Sequence, residues 1–265
     1  MKIYISADIE GIAGITHWDE ASKAKPEYQE FREEMTREVI AACEGAMAVG
    51  ATEIWIKDAH GSGRNILAAD LPACARLIRG WSGHPLNMIQ ELDDSFAAIL
   101  MIGYHSKAGS DANPLAHTLT GNVREIVING EQTSEFRLHA NAAALHGVPV
   151  VFVSGDEELC EDIRTINESI HTLGLSRGHG PSTISMAPVE ARRLINEGVE
   201  ESLDRDLSSC LLALADDFVV EVSYREPTSA YGAGFYPGAK QAGPHTIRFE
   251  TDAYFEVMRL LKFVV

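Results

Sequence analysis

Short apolar runs alternate with segments of helical periodicity over the first two thirds of the chain. Residues 3–7 and 52–61 have the composition of strands, and between them residues 27–49 carry apolar side chains at helical spacing. A strand, a helix and a second strand in this order predict parallel strands joined by a right-handed crossover. Residues 97–106 and 148–155 are apolar without alternation, which is typical of central strands covered on both faces.

Residues that favour turns and helix caps mark the ends of the predicted elements in the middle of the chain. Asn129 and Gly130 lie between β-rich residues, and this dipeptide favours a tight hairpin turn. Ser134 can cap a helix that continues to Gly147, and residues 156–166 begin another helix with acidic side chains in its first turn. Residues 87–96 also have a helical pattern.

The alternation of strands and helices weakens after residue 166. The remaining pattern predicts, in order, a Gly/Pro-rich loop at 174–182, a helix at 188–203, a strand at 217–224, a second Gly/Pro-rich loop at 226–244, a strand at 245–251 and a final helix to Leu261. We therefore expect an α/β fold with a mostly parallel central sheet flanked by helices. Residues 1–180 would form this core, and residues 181–265 a smaller α+β part that packs on it or continues it as one domain.

Composition and charge narrow the classes of function. The 265 residues are 45% apolar and 23% charged, which is ordinary for a globular protein, and the net charge of −17 argues against binding to nucleic acid or to an anionic membrane surface. No apolar run is long enough for a membrane span, and the N-terminus is acidic where a signal peptide needs an apolar core. The four cysteines are far apart, as in a reducing compartment. We expect a cytoplasmic protein.

Potential metal ligands follow three of the predicted strands. Asp8 and Glu10 end the first strand, Asp58 and His60 the second, and His105 the third. The carboxyl ends of neighbouring parallel strands form one crevice, so these side chains should meet there. Carboxylates together with imidazoles suit Zn, Mn or Fe.

The number of candidate ligands is enough for two ions, since a carboxylate can bridge a pair. Asp8, Glu10, His60 and His105 make four, and Asp58 or a later carboxylate could be the fifth. Such a pair activates water, so hydrolysis is the expected reaction class.

Several ordered motifs resemble one known family. These are Asp-x-Glu-Gly at 8–11, Asp-x-His at 58–60 and the segments 103–119, 128–143 and 151–158. Together they are similar to the zinc-dependent D-aminopeptidases of bacterial dipeptide-transport operons. The likeness covers about the first 160 residues.

The resemblance implies two zinc ions per subunit and a role for each matching residue. Asp8 would bridge the ions, Glu10 and His60 would complete one site, and His105 and Glu135 the other. His117 matches the family's catalytic histidine. The resemblance also implies a small peptide substrate with an N-terminal D-amino acid, and a homo-oligomer that is ring-shaped.

Two other functions stay open at this point. A two-metal phosphoesterase would use the same ligands, although few Arg or Lys residues lie near them in the sequence. A non-catalytic metal-binding or assembly protein could share the same fold. This function would gain support if Glu135 or His117 pointed away from the metals. Two further residues are candidates for the surroundings of the metals. Asp58 could orient His60, and His139 lies one helical turn after Glu135.

Overall fold

The computed structural model describes all residues from 1 to 265. It has twelve strands in two sheets and seven helices. The strands are β1 (Lys2–Ala7), β2 (Glu53–Asp58), β3 (Ala75–Ile78), β4 (Ala98–Tyr104), β5 (Val123–Ile128), β6 (Glu131–Gln132), β7 (Val150–Asp156), β8 (His171–His179), β9 (Ser182–Ser185), β10 (Phe218–Tyr224), β11 (Lys240–Gln241) and β12 (Thr246–Thr251). The helices are α1 (Trp18–Ala21), α2 (Tyr28–Ala48), α3 (Glu135–Ala144), α4 (Glu157–Ile166), α5 (Pro188–Leu203), α6 (Pro227–Ala233) and α7 (Tyr254–Val264).

The larger sheet is the predicted parallel core. Its strand order is β3-β2-β1-β4-β7-β8-β9, and every pair is parallel except β8 with β9. Every residue of β4 and β7 is buried, as the absence of alternation in their sequences predicts. The expected α/β class with a mostly parallel central sheet is confirmed.

The smaller sheet is antiparallel, in the order β11-β12-β10-β5-β6. Its strands come from both sides of residue 180, because β5 and β6 precede that point and β10 to β12 follow it. Helix α5, which also follows residue 180, packs along α2 of the larger layer. The division near residue 180 stays a prediction.

Three local predictions differ from the structure. The expected loop at 174–182 belongs to the hairpin of β8 and β9, and its glycines permit close packing: a Cβ on Gly178 would lie 2.6 Å from the Ala112 carbonyl oxygen. The expected helix at 87–96 is only a 3₁₀ turn at Asn87–Ile89, because Asn87 and Glu91 have φ values of 49° and 68°, outside the helical region. The expected loop at 226–244 contains α6 and β11.

None of the helices combines the length and the apolarity that crossing a membrane requires.

The loop that follows β1 lies directly against the end of β4. The Gly11 amide donates to the Gly103 carbonyl at 2.9 Å, and a Cβ on Gly11 would lie 1.7 Å from the carbonyl oxygen of Tyr104. Any side chain at position 11 must therefore displace the backbone that carries Asp8 and Glu10.

We expect Gly11→Ala to lower the free energy of unfolding by about 2–4 kcal/mol, because the clash is with backbone and no side chain can move aside. Urea denaturation measures this change in the free energy of unfolding. Gly121→Ala is the control, since a Cβ there meets nothing within 4 Å and should change stability little. Equal losses in the two variants would contradict this account.

A second buried contact holds the same loop from α2. The Ala13 amide donates to Oε1 of Glu38 at 2.8 Å, while Oε2 of this fully buried side chain has no hydrogen-bond partner. Burial raises the pKa of Glu38 to about 8, with a further contribution from nearby Glu34. The folded state therefore keeps a proton that the unfolded chain releases at lower pH.

This proton makes stability depend on pH in a defined direction. Between pH 4.5, the ordinary pKa, and about 8 the folded state binds more protons than the unfolded state, so the contribution of Glu38 to the free energy of unfolding falls as pH rises. Glu38→Gln does not titrate, and we expect it to gain about 1–3 kcal/mol relative to the native chain between roughly pH 5.5 and 8.5. Urea denaturation across that range tests it. Glu44→Gln, on the exposed face of α2, should show no such trend.

Candidate metal centre

The structure brings all the predicted site residues to one end of the parallel sheet. Asp8 and Glu10 follow β1, His60 follows β2, and His105 follows β4, where the three strands lie side by side. Glu135 comes from elsewhere, as the first residue of α3 with Ser134 as its cap. A cavity of about 420 Å³ is lined by four of these side chains and by His117.

Short distances connect the acidic and imidazole groups around Asp8. Nδ1 of His60 lies 3.3 Å from Oδ1 of Asp8 and 3.1 Å from Oε2 of Glu10. Nε2 of His105 lies 3.5 Å from Oδ2 of Asp8 and 3.5 Å from Oε2 of Glu135. The two oxygens of Asp8 thus face different histidines, which places this carboxylate in the middle of the cluster.

Each of the three histidines uses one ring nitrogen to bind a backbone carbonyl. His60 Nε2 lies 2.8 Å from the Ala21 oxygen, His105 Nδ1 2.9 Å from that of Ser106, and His117 Nδ1 3.0 Å from that of Leu115. A carbonyl can only accept, so these nitrogens carry the proton. The other nitrogen of each ring faces the carboxylates and, in the neutral ring, offers a lone pair.

Stacking fixes the orientation of His117 further. Its ring is parallel to that of His105 within 10°, with centroids 4.3 Å apart, and the edge of Trp18 packs against it at 5.2 Å. Nε2 of His117 lies 3.8 Å from Oε1 of Glu135, which also accepts the Leu119 amide at 2.6 Å. His117, like His60, is only partly buried, and both lie in the cavity wall.

Electrostatics keep Glu10 and Glu135 ionised. Burial favours the neutral acid at Glu10 and Glu135, but the neighbouring imidazoles outweigh it and hold both pKa values below the ordinary one. Burial likewise opposes charge on His60 and His105, yet the surrounding carboxylates raise the pKa of each well above its usual range. A cation that binds here would displace the protons of these imidazoles and take their place beside the carboxylates.

The buried donor atoms of the cluster have the properties of a cation-binding site. Oε2 of Glu10 and Nε2 of His105 are buried and have no hydrogen-bond partner, although buried polar atoms in proteins are nearly always partnered. Two sets of donor atoms lie close enough to share an ion, one from Asp8, Glu10 and His105 and one from His105, His117 and Glu135. Carboxylate and imidazole donors without cysteine fit zinc.

Asp58 does not contact the ring of His60. Its two oxygens accept from the amides of Asn65 and Ile66 at 2.5 and 2.8 Å and from Nδ2 of Asn65 at 2.7 Å. The same Nδ2 donates to the His60 carbonyl at 2.7 Å. Asp58 therefore supports His60 through the backbone of the loop, with Asn65 as the link.

His139 is fully buried beneath the cluster. Its Nδ1 lies 2.7 Å from the carbonyl oxygen of Glu135, and burial lowers its pKa. It does not belong to either close set of donor atoms.

Three residues of the cavity wall were not recognisable as site residues from the sequence. Trp18 on α1, Trp81 after β3 and Lys262 on α7 all line the cavity. The two tryptophans are 43% and 38% exposed, an unusual degree for this residue type, but their sequence context contains no signal for it. Lys262 depends on how the last helix packs, which a local pattern cannot show.

A parallel sheet that gathers carboxylates and imidazoles at its carboxyl edge defines a metal-dependent hydrolase. The sequence matches the family model of the M55 peptidases, described as D-aminopeptidase, over residues 1–263. The chain belongs to this family. The predicted class of metallo-aminopeptidase is thereby confirmed.

Comparisons of sequence and of structure agree. The chain is 28% identical over 263 residues to a D-aminopeptidase of Bacillus subtilis, and the match covers 98% of this chain and 95% of that protein. The structure is similar to that of the Zn-dependent D-aminopeptidase DppA from Bacillus subtilis, described as a self-compartmentalizing protease, with a TM-score of 0.93 and 26% identity. That alignment covers 100% of this chain and 96% of the other.

Proposed function

We propose that this protein removes N-terminal D-amino acids from short peptides at a centre that holds two zinc ions. The observation that carries the proposal is the set of three histidines in one cavity, each held by a backbone carbonyl at one nitrogen and facing ionised carboxylates with the other. The zinc dependence and D-specificity in the names of the relatives support it.

The ligand roles in this proposal follow the positions of the side chains. Asp8 would help to hold both ions, because its two oxygens face His60 and His105 separately. Glu10 completes the His60 side and Glu135 the His105 side. A zinc pair in this arrangement supplies an activated water and polarises the peptide carbonyl.

His117 is the proton carrier in this proposal. Its Nδ1 donates to the Leu115 carbonyl, so Nε2 is the nitrogen that can take and return a proton on the cavity side. The stacked ring of His105 and the edge of Trp18 restrict its rotation. The proton that leaves the water reaches the amine leaving group through this ring.

The metal cluster suits the free amino group of the substrate. Its three carboxylates, Asp8, Glu10 and Glu135, are the only acidic residues that line the cavity. With two zinc ions bound, these carboxylates would be neutralised, and the free amino group would bind at the cluster as a neutral amine, a zinc ligand that an internal peptide segment lacks. This favours exopeptidase over endopeptidase action.

The same wall disfavours a phosphate ester as substrate. Phosphate-binding sites use Arg or several Lys residues, and this cavity has one Lys and no Arg. The third function considered, a non-catalytic metal-binding protein, would gain support if Glu135 or His117 faced away from the cluster, but both line the cavity.

We also infer that the chain forms a ring-shaped homo-oligomer and works in the cytoplasm. One support for assembly is the description of the related structure as self-compartmentalizing. Another is the exposure of two aromatic side chains, Phe235 just after α6 at 73% and Phe263 on α7 at 71%. Support for a reducing compartment comes from the four cysteines, all free.

We expect the zinc-loaded protein to release the N-terminal residue from D-alanyl dipeptides, and His117→Ala to lower kcat by roughly 10²–10⁴-fold while zinc content stays unchanged. Release of free D-alanine measures the rate, and elemental analysis measures the metal. His179→Ala is the control, because His179 is exposed on β8 away from the cavity. Zinc-loaded protein that cleaves neither D- nor L-peptides would refute the proposed function, and full activity in His117→Ala would refute the role of this residue.

We further expect the native chain to bind two zinc ions and Asn65→Ala to bind them roughly 10–100-fold more weakly. The substitution removes the hydrogen bonds that link Asp58 to the His60 carbonyl, so the loop that orients His60 loosens. Titration against a chelating dye reports the affinity.

Asn122→Ala is the matched control, since Asn122 is exposed and its side chain bonds only Ser229. Zinc affinity in Asn65→Ala equal to that of the native chain would show that the loop does not need this link.

A further inference from the structure

The last helix places a single positive charge in the wall of the cavity. Lys262 on α7 is one of the thirteen lining residues, and none of the others is Lys or Arg. The only other acidic or basic side chains of the wall belong to the metal cluster, namely Asp8, Glu10, His60, His117 and Glu135. A bound molecule with a negative group therefore meets one favourable side-chain charge.

The ammonium of Lys262 is not used within the fold. Nζ makes no hydrogen bond or ion pair with any other residue, whereas Arg259, one turn earlier on α7, pairs with Glu256. The cavity position together with this free donor group sets Lys262 apart from Arg259, the other basic residue of the helix.

The chemistry of a short peptide supplies a matching group. When the N-terminal amino group lies at the metal cluster, each further residue extends the chain by at most about 3.6 Å. The C-terminal carboxylate of a dipeptide or tripeptide must then lie in the same cavity as the scissile bond. A long peptide carries its carboxylate far outside and loses this contact.

We propose that Lys262 binds the C-terminal carboxylate of dipeptides and tripeptides and so restricts the enzyme to very short substrates. This inference rests on the proposed function, because it assumes that the N-terminal end of the peptide lies at the metal cluster. An ammonium–carboxylate contact of this kind contributes to substrate binding as a point charge on a flexible stem.

The test compares a D-alanyl dipeptide with its C-terminal amide, which differs only in the charge of that end. We expect the native enzyme to have a higher kcat/KM for the acid, by about ten- to thirty-fold. Lys262→Met should remove this preference by lowering kcat/KM for the acid and not for the amide. Lys262→Arg should keep most of the preference. Arg259→Met is the control on the same helix and should leave the preference unchanged.

A binding measurement separates this inference from the proposed function. The reduced-amide isostere of the dipeptide has no carbonyl to attack, and its binding to zinc-loaded protein can be followed through the fluorescence of Trp18 and Trp81 in the cavity wall. We expect the isostere with a free carboxylate to bind roughly ten-fold more tightly than its amide in the native chain, and equally in Lys262→Met.

Three outcomes would overturn the inference. These are an equal loss for acid and amide in Lys262→Met, no loss for either, or an isostere whose affinity does not depend on its carboxylate. Absence of any hydrolysis by the native chain would count against the proposed function instead, and the isostere would still decide whether Lys262 recognises a carboxylate.

Discussion

The candidate site depends on the way in which three backbone carbonyls orient three imidazoles. The carbonyls of Ala21, Ser106 and Leu115 each accept from one ring nitrogen, so the other nitrogen of each histidine faces the carboxylates. These carbonyls belong to loops that follow strands of the parallel sheet or to the short helix α1. The regular part of the fold therefore determines the chemistry of the site, because loop positions follow from the strands that carry them.

Close packing of the backbone keeps those loops in place. Gly11 and Gly103 allow the loop after β1 to touch the end of β4, where a Cβ would enter the space of a carbonyl group. Glu38 holds the same loop from the helix layer, and Asn65 holds the loop that carries His60. A site with several buried charges is stable only when neighbouring groups fix them in this manner.

The sequence predicts most of the larger sheet and four of the ligand candidates. These four, Asp8, Glu10, His60 and His105, follow strands with clear apolar patterns, and the carboxyl ends of neighbouring parallel strands lie at the same edge of the sheet. Glu135 begins a helix instead, so only the family resemblance indicates it. Trp81 and Lys262 reach the cavity through the packing of a loop and of α7, which no short pattern encodes. The glycines of β8 suggest a loop because their role, close contact with neighbouring backbone, is visible only in three dimensions.

The position of Glu135 in the chain affects the stage of synthesis and folding at which the site becomes complete. This residue lies three positions after the end of β6, and β6 pairs with β5, which in turn pairs with β10 in the last fifth of the chain. A nascent chain that has completed only the parallel layer holds Asp8, Glu10, His60 and His105 but lacks a fixed fifth carboxylate. Hydrolytic competence should therefore emerge late, after the final strands have been synthesised and docked, so that an unfinished chain poses little danger to other peptides in the cell.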